Sequence, residues 1–286
     1  MFYKFRSVNT NSLSGLANKN LWFDKLENQN DPFEGKYIFD EFIPKELEEM
    51  AERHRYLVEA LESEQAYLNL CTASLGVHFP QSMKTSEILA TFIKQCADAQ
   101  IKLVQGSRIC SFSYEEENSD KTSCILQNNL MWSHYASGLR GFCLVFDDEI
   151  FQADMQNSHN DMMRPTRVKY QDNPSILKYK DFISFDANNQ FHPINNEITE
   201  LIIETISTKS SNWSYEKEVR ILTLDTTSNL YSYSDKALVE VVIGEKMPKE
   251  QQKLILDIIS QNHPNAKISK AKVEDKTYNV KVVDYS

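Results

Sequence analysis

The chain has 286 residues, 41% of them hydrophobic and 25% charged, which is enough apolar material for a sizeable core and excludes a disordered chain. A formal charge of -10 gives an acidic surface, which excludes broad coating of nucleic acid and leaves room only for a local basic cleft. Five cysteines, Cys71, Cys96, Cys110, Cys124 and Cys143, form no close pair, so neither a disulfide framework nor a zinc ribbon is expected. The N-terminus has no apolar run of signal-peptide length, and no segment has the roughly 20 apolar residues of a membrane span, so the expectation is a cytoplasmic protein with reduced thiols.

Phe2 to Phe5 and Leu21 to Phe23 read as aromatic strands around a short helix at Ser12 to Lys19, followed by a turn at Asn28 to Gly35. From Pro44 to about Leu70, apolar Leu47, Met50, Leu57, Ala60 and Leu61 recur at helical spacing. A second helix, capped by Thr85, carries a stripe of Ile88, Leu89, Phe92, Ile93, Cys96 and Leu103. Ile109 to Tyr114, Gly141 to Asp147 and Arg167 to Tyr170 read as strands, with a short helix at Asn128 to Ala136 and a polar loop from Gln152 to Pro165. A helix at Ile198 to Ile206 precedes strands at Glu218 to Leu224 and Leu238 to Ile243. A helix starting at Pro248 and a strand at Tyr278 to Val283 complete the chain. The expected fold is α+β: a single domain over 1–286 with a mixed, antiparallel-leaning central sheet and a helical insertion near 44–105.

Four clusters carry candidate chemistry. In Asn30, Asp31, Pro32, Phe33, Glu34 and Gly35, the turn formers and Pro32 describe either a tight turn anchored by Phe33 or a cleft mouth with Asn30, Asp31 and Glu34 as polar contacts. In Met131, Trp132, Ser133, His134, Tyr135 and Ala136, the rings of Trp132 and Tyr135 share a helical face, as a core stripe or a pocket wall. His134 suits proton transfer or a structural role, and no His-x-x-x-His or His-Glu-x-x-His pattern marks a metal site. Ser111 and Ser113 share one face of a strand and lie outside any Gly-x-Ser-x-Gly elbow, so they read as sheet packing or as pocket hydroxyls.

The fourth cluster runs from Trp213 through Tyr215, Glu216 and Glu218 to Arg220, with Lys209 just upstream. Read as a strand, it places Glu216, Glu218 and Arg220 on one face, where two carboxylates need a cation, a proton or a ligand between them and Arg220 is the nearest cation. The aromatic rings of Trp213 and Tyr215 beside these charges suit a ligand site, and surface ion pairing is the bland alternative.

These clusters, together with Gly141 to Phe146, resemble the bacterial domain-of-unknown-function 2971 family over nearly the whole chain. The order of an early aromatic strand, a serine-bearing middle strand and a late glutamate strand is also similar to the ADP-ribosyltransferase superfamily, although Tyr3, Lys4 and Arg6 depart from its early signature. That similarity implies NAD as substrate, Glu216 or Glu218 as the catalytic carboxylate with His134, and a role as an NAD-consuming transferase or glycohydrolase, a toxin or phage-defence effector. Trp132, Tyr135, Trp213 and Tyr215 would shape the pocket, while Asn30, Asp31, Glu34, Lys209 and Arg220 would bind polar groups. A small-molecule nucleotide is the expected partner, with a protein or nucleic-acid acceptor open and no membrane. Two alternatives stand beside it: a hydrolase or nuclease using Asp31, Glu34, Glu216 and Glu218 on magnesium or manganese, and a non-enzymatic sensor.

Overall fold

The computed structural model describes residues 1–53, 55–56, 85–115, 124–158, 163–182, 184–185, 191–192, 196–224 and 227–285. These fall into two compact units: residues 1–34, 106–172 and 207–286 form the first, and residues 35–105 with 173–206 form the second.

The first unit is built on a nine-stranded sheet. Its opening elements are β1 (Phe2–Arg6), α1 (Thr10–Ala17), β2 (Asn20–Trp22) and β3 (Asp24–Lys25). In the second unit, β4 (Tyr37–Asp40) pairs in parallel with Ser175–Lys178, and α2 (Pro44–Arg53) and α3 (Thr85–Gln105) are its long helices among the described residues. The first unit resumes with β5 (Arg108–Tyr114), α4 (Asn129–Tyr135), β6 (Phe142–Phe146), α5 (Asp148–Ser158), β7 (Arg164–Arg167) and β8 (Lys169–Gln171). After β9 (Ser175–Lys178), β10 (Ser184–Phe185), β11 (Phe191–His192) and α6 (Asn196–Ile206) of the second unit come β12 (Thr208–Ser210), β13 (Glu218–Thr223), β14 (Leu230–Ser232) and β15 (Leu238–Gly244). The chain closes with α7 (Lys249–Asn262), β16 (Lys267–Val273) and β17 (Val280–Asp284).

The sheet order is β17-β16-β15-β6-β1-β5-β13-β7, and every neighbouring pair is antiparallel except β15 and β16. The α+β class with a mixed, mostly antiparallel sheet is therefore as expected. The parallel pair requires a crossover, and α7 supplies it. On one face of the sheet Phe2, Phe112, Phe146, Val219 and Ile221 pack with Phe151 and Ile255. On the other, Phe5, Cys143 and Val145 pack with Met131, Trp132 and Leu126. The site lies on this second face.

Several elements differ from their sequence expectation. α1 starts early because the Asn9 side chain accepts from the Ser12 backbone and Ser12 returns the bond, a capping box that fixes the first turn. Residues 152–158 are helix rather than loop. Polar as they are, they continue a helix whose Phe151 and Met155 are four apart and face the core, and whose start is held by Asp147 accepting from the Ile150 amide. On α3 the buried stripe continues through Ile101 and Val104, leaving Leu103 53% exposed. The Arg167 to Tyr170 strand is two strands, β7 and β8, meeting at Val168, and β16 was not foreseen at all. The Leu57, Ala60 and Leu61 part of the first expected helix and the side chains of Thr85 and Ile88 lie outside the described residues. Among the described residues, no helix is long and apolar enough to cross a membrane.

Candidate functional site

A split in the sheet makes the site. β6 pairs with the whole of β1 from Phe2 to Arg6, but β5 pairs with β1 only at Phe2 and Tyr3. Beyond that point β5 takes β3 as its partner, through Asp24 opposite Ile109 and Lys25 opposite Arg108. Lys4 to Arg6 therefore diverge from Cys110 to Phe112, and backbone groups that a continuous ladder would pair face a cavity of about 320 Å³. The Lys4 ammonium bridges part of the opening, donating to the Ser111 carbonyl at 2.5 Å and lying 5.1 Å from the centre of the Phe112 ring. Burial pushes the Lys4 amine below its usual value. Arg6 lines the same cavity.

The opposite wall is acidic and comes from Ser210 to Arg220. This segment is not a continuous strand. Ser211–Glu216 is a 3-10 turn whose start is capped by the Ser210 hydroxyl, and Lys217 ends it in the left-handed region at φ 45°. β13 begins only at Glu218, so the predicted two-residue strand spacing of Glu216 and Glu218 is wrong. The turn nevertheless aims both carboxylates at one ammonium: Lys209 Nζ lies 2.8 Å from Glu216 Oε2 and 3.2 Å from Glu218 Oε2. Lys209, held in β12 by parallel pairing with β8, is thus the bridging cation, rather than Arg220. The Trp213 ring centre lies 4.8 Å from the same ammonium, a cation–π contact that covers one more side of it.

Arg220 serves the other end of the cluster. Its Nε donates to Glu218 Oε1 at 2.8 Å and its Nη2 to Glu34 Oε1 at 2.6 Å. Glu34 Oε2 lies 3.9 Å from Lys209 and, among the described residues, has no hydrogen-bond partner. All five side chains are buried, so three carboxylates share two cations and one negative charge is in excess. One proton would neutralise the cluster. Burial alone would raise Glu218, but the guanidinium of Arg220 and the ammonium of Lys209 bring it down to about 2. For Glu216 burial wins over Lys209 and Tyr135, and for Glu34 it wins over Arg220 and Lys209, so both carboxyls sit above the usual range. A proton taken up by the cluster would go to one of these two rather than to Glu218. Of the three acids, Glu216 and Glu218 line the cavity.

The Met131 to Ala136 segment divides by helical face. Met131 and Tyr135, four residues apart on α4, both line the cavity. Tyr135 donates its hydroxyl to Glu216 Oε1 and accepts from Asn30 Nδ2 at 2.7 Å, and burial followed by the Glu216 charge raises its pKa. Trp132 is instead a core anchor, 1% exposed, with its indole donating to the Leu126 carbonyl at 2.7 Å and its ring edge-on to Phe5. The expected pocket role of Trp132 is corrected accordingly. His134 is exposed, and its Nδ1 lies 2.8 Å from the Tyr215 hydroxyl; both stand outside the cavity lining.

The Asn30 to Gly35 cluster is a turn and a site wall together. The Asp31 carboxylate accepts from the Phe33 amide at 2.9 Å and the Asp31 carbonyl from the Glu34 amide at 3.0 Å, which turns Glu34 inward to Arg220. Phe33 is 60% exposed and is not the anchor of that turn. Asn30 lines the cavity with its neighbours Asn28 and Gln29. Ser111 and Ser113 also line it, opposite Arg220 and Glu218 in the β5–β13 ladder.

Sequence reasoning missed Lys4, Arg6, Trp22 and Asn28 as cavity residues. The alternation of aromatic and basic residues in Phe2-Tyr3-Lys4-Phe5-Arg6 was the available signal, but the split that makes two core-facing cations into cavity walls has no local signature. Among the described residues, no group of three His, Cys, Asp or Glu side chains is placed to hold a metal ion, and the space between Glu34, Glu216 and Glu218 is taken by Lys209 and Arg220.

No curated protein and no solved structure matches the chain. Residues 131–221, which run from the cavity helix α4 to the Arg220 strand and make up less than half of the chain, match the family described as "Protein of unknown function (DUF2971)".

Proposed function

We propose that the cavity binds a pyridine dinucleotide, NAD, and that Glu216 promotes cleavage of its nicotinamide glycosidic bond, with water or an acceptor group as nucleophile. The observation that supports this reading is the bipolar lining: Glu216 and Glu218 on one wall, Lys4 and Arg6 on the strand across the split. A ligand with a positive ring and a negative pyrophosphate complements both walls at once. In the reaction the bond between ribose C1′ and the ring nitrogen breaks, and its electron pair leaves with nicotinamide, which becomes neutral. Positive charge builds on the ribose, and the buried carboxylates stabilise it more strongly than water would, because they are already oriented. Tyr135 and Lys209 hold Glu216 in place, and the ionised form takes the proton of the attacking hydroxyl. If a cellular NAD pool is the target, the protein acts as a toxin or phage-defence effector.

The test is nicotinamide release from NAD together with NAD affinity. Wild type should release nicotinamide, and Glu216→Gln, which keeps the size of the side chain, should lose about 10²–10³-fold in kcat while still binding NAD. Binding without any release by wild type would favour a ligand sensor on the same cavity. Absence of both would end the nucleotide reading.

A further inference from the structure

At about 320 Å³ the cavity is near the lower end of the range of roughly 300–1,000 Å³ for small-molecule sites, so one nucleotide half of a dinucleotide fills it and the other half must lie at the rim. Trp22 occupies that rim. In β2 the side chains alternate, with Leu21 buried at 3% and Trp22 turned outward at 50% exposure while still lining the cavity. Its cross-strand neighbour on β14, Leu230, is also exposed, so the indole is not covered from that side.

Asp24, two residues on, lines the same cavity. Its carboxylate is fixed, accepting from the Lys25 amide and from Asn28 Nδ2, each at 2.8 Å. A half-exposed tryptophan at a cavity edge leaves a large flat apolar face on which a ring can lie. The other two tryptophans offer nothing comparable: Trp132 is sealed in the core and Trp213 covers Lys209.

We infer that Trp22 is a stacking platform for a planar heteroaromatic ring, and that this ring is the adenine of the bound nucleotide. The inference rests on the nucleotide reading of the cavity but not on any cleavage. Base–aromatic stacking is worth about 1–3 kcal/mol per base, so removing the indole should weaken binding by about 5–150-fold.

The probes are AMP and, lacking a base, ribose 5-phosphate, followed by tryptophan fluorescence and calorimetry on the full chain. AMP should quench the fluorescence of wild type and bind it at least about tenfold more tightly than ribose 5-phosphate. Trp22→Ala and Trp22→Leu should each lose about tenfold or more in AMP affinity and leave ribose 5-phosphate unchanged, while Trp22→Phe keeps most of the affinity and loses the quenching. The quenching of unmodified protein gives a readout even if a variant fails to fold. Absence of AMP binding, equal binding of AMP and ribose 5-phosphate, or Trp22→Leu binding AMP as wild type does would each overturn the assignment. If Trp22-dependent AMP binding is found but no nicotinamide is released from NAD, the glycosidic reading falls and the platform stands.

Discussion

The two faces of the β5–β13 ladder are both buried, and they are chemically opposite. One face carries Cys110, Phe112, Val219 and Ile221 into an apolar core; the other carries Ser111, Ser113, Glu218 and Arg220 against Glu34 and Lys209. Each large side chain on the apolar face contributes roughly 1.5–3 kcal/mol by leaving water. On the charged face the attraction between ions is offset by the loss of their hydration, and a buried pair is often no better than an apolar substitute. The second face is thus not explained by stability. Among the described residues its three acids share two bases in direct contact, one negative charge is in excess, and the sheet splits beside it.

Changes on the charged face should break this comparison most. Glu216→Gln is expected to lower nicotinamide release about 10²–10³-fold with little change in melting temperature, since it removes a surplus negative charge. Arg220→Met leaves Glu34 and Glu218 buried without their guanidinium and should cost about 3–5 kcal/mol in urea unfolding. Next comes pH. Glu218 has a folded pKa near 2 against an ordinary 4.5, so its contribution of roughly 3 kcal/mol is complete above pH 4.5 and is lost as pH falls toward 2. Glu34 and Glu216 act in the opposite sense, destabilising the fold as pH rises through 4.5, because their folded pKa values are raised. Unfolding free energy followed from pH 6 to pH 2 should therefore have an acid limb that flattens in Glu218→Gln. The smallest effect belongs to the apolar face: Ile221→Val should cost about 1 kcal/mol and leave turnover unchanged. A fall in turnover comparable to that of Glu216→Gln would show that the faces are not separable.

The sequence made the apolar half of this legible and half of the site. Alternation in Ile109–Tyr114 and Glu218–Leu224 and the aromatic run Phe2–Phe5 locate strands, because successive side chains of a strand go to opposite faces, here one apolar and one polar. The Asn30-Asp31-Pro32 turn was legible from its turn chemistry, and Glu216, Glu218, Arg220 and Lys209 from their charge density beside Trp213. The geometry among them was not. Lys217 adopts a left-handed conformation that nothing in its type requires, so a strand was read where a turn stands. Trp132 and Tyr135 carry the same helical signal, and only the position of the split sends one to the core and the other to Glu216. Lys4 and Arg6 look like ordinary strand cations until β5 exchanges β1 for β3.

The central claim is that the charged face holds the reacting half of NAD, and the most direct measurement is a crystal structure of the Glu216→Gln chain with NAD. The account predicts the nicotinamide ribose in the split, its C1′ about 3–3.5 Å from the side chain at 216, and the phosphates toward Lys4 and Arg6. NAD bound elsewhere on the chain, or bound in the split with its phosphates against Glu218, would contradict it.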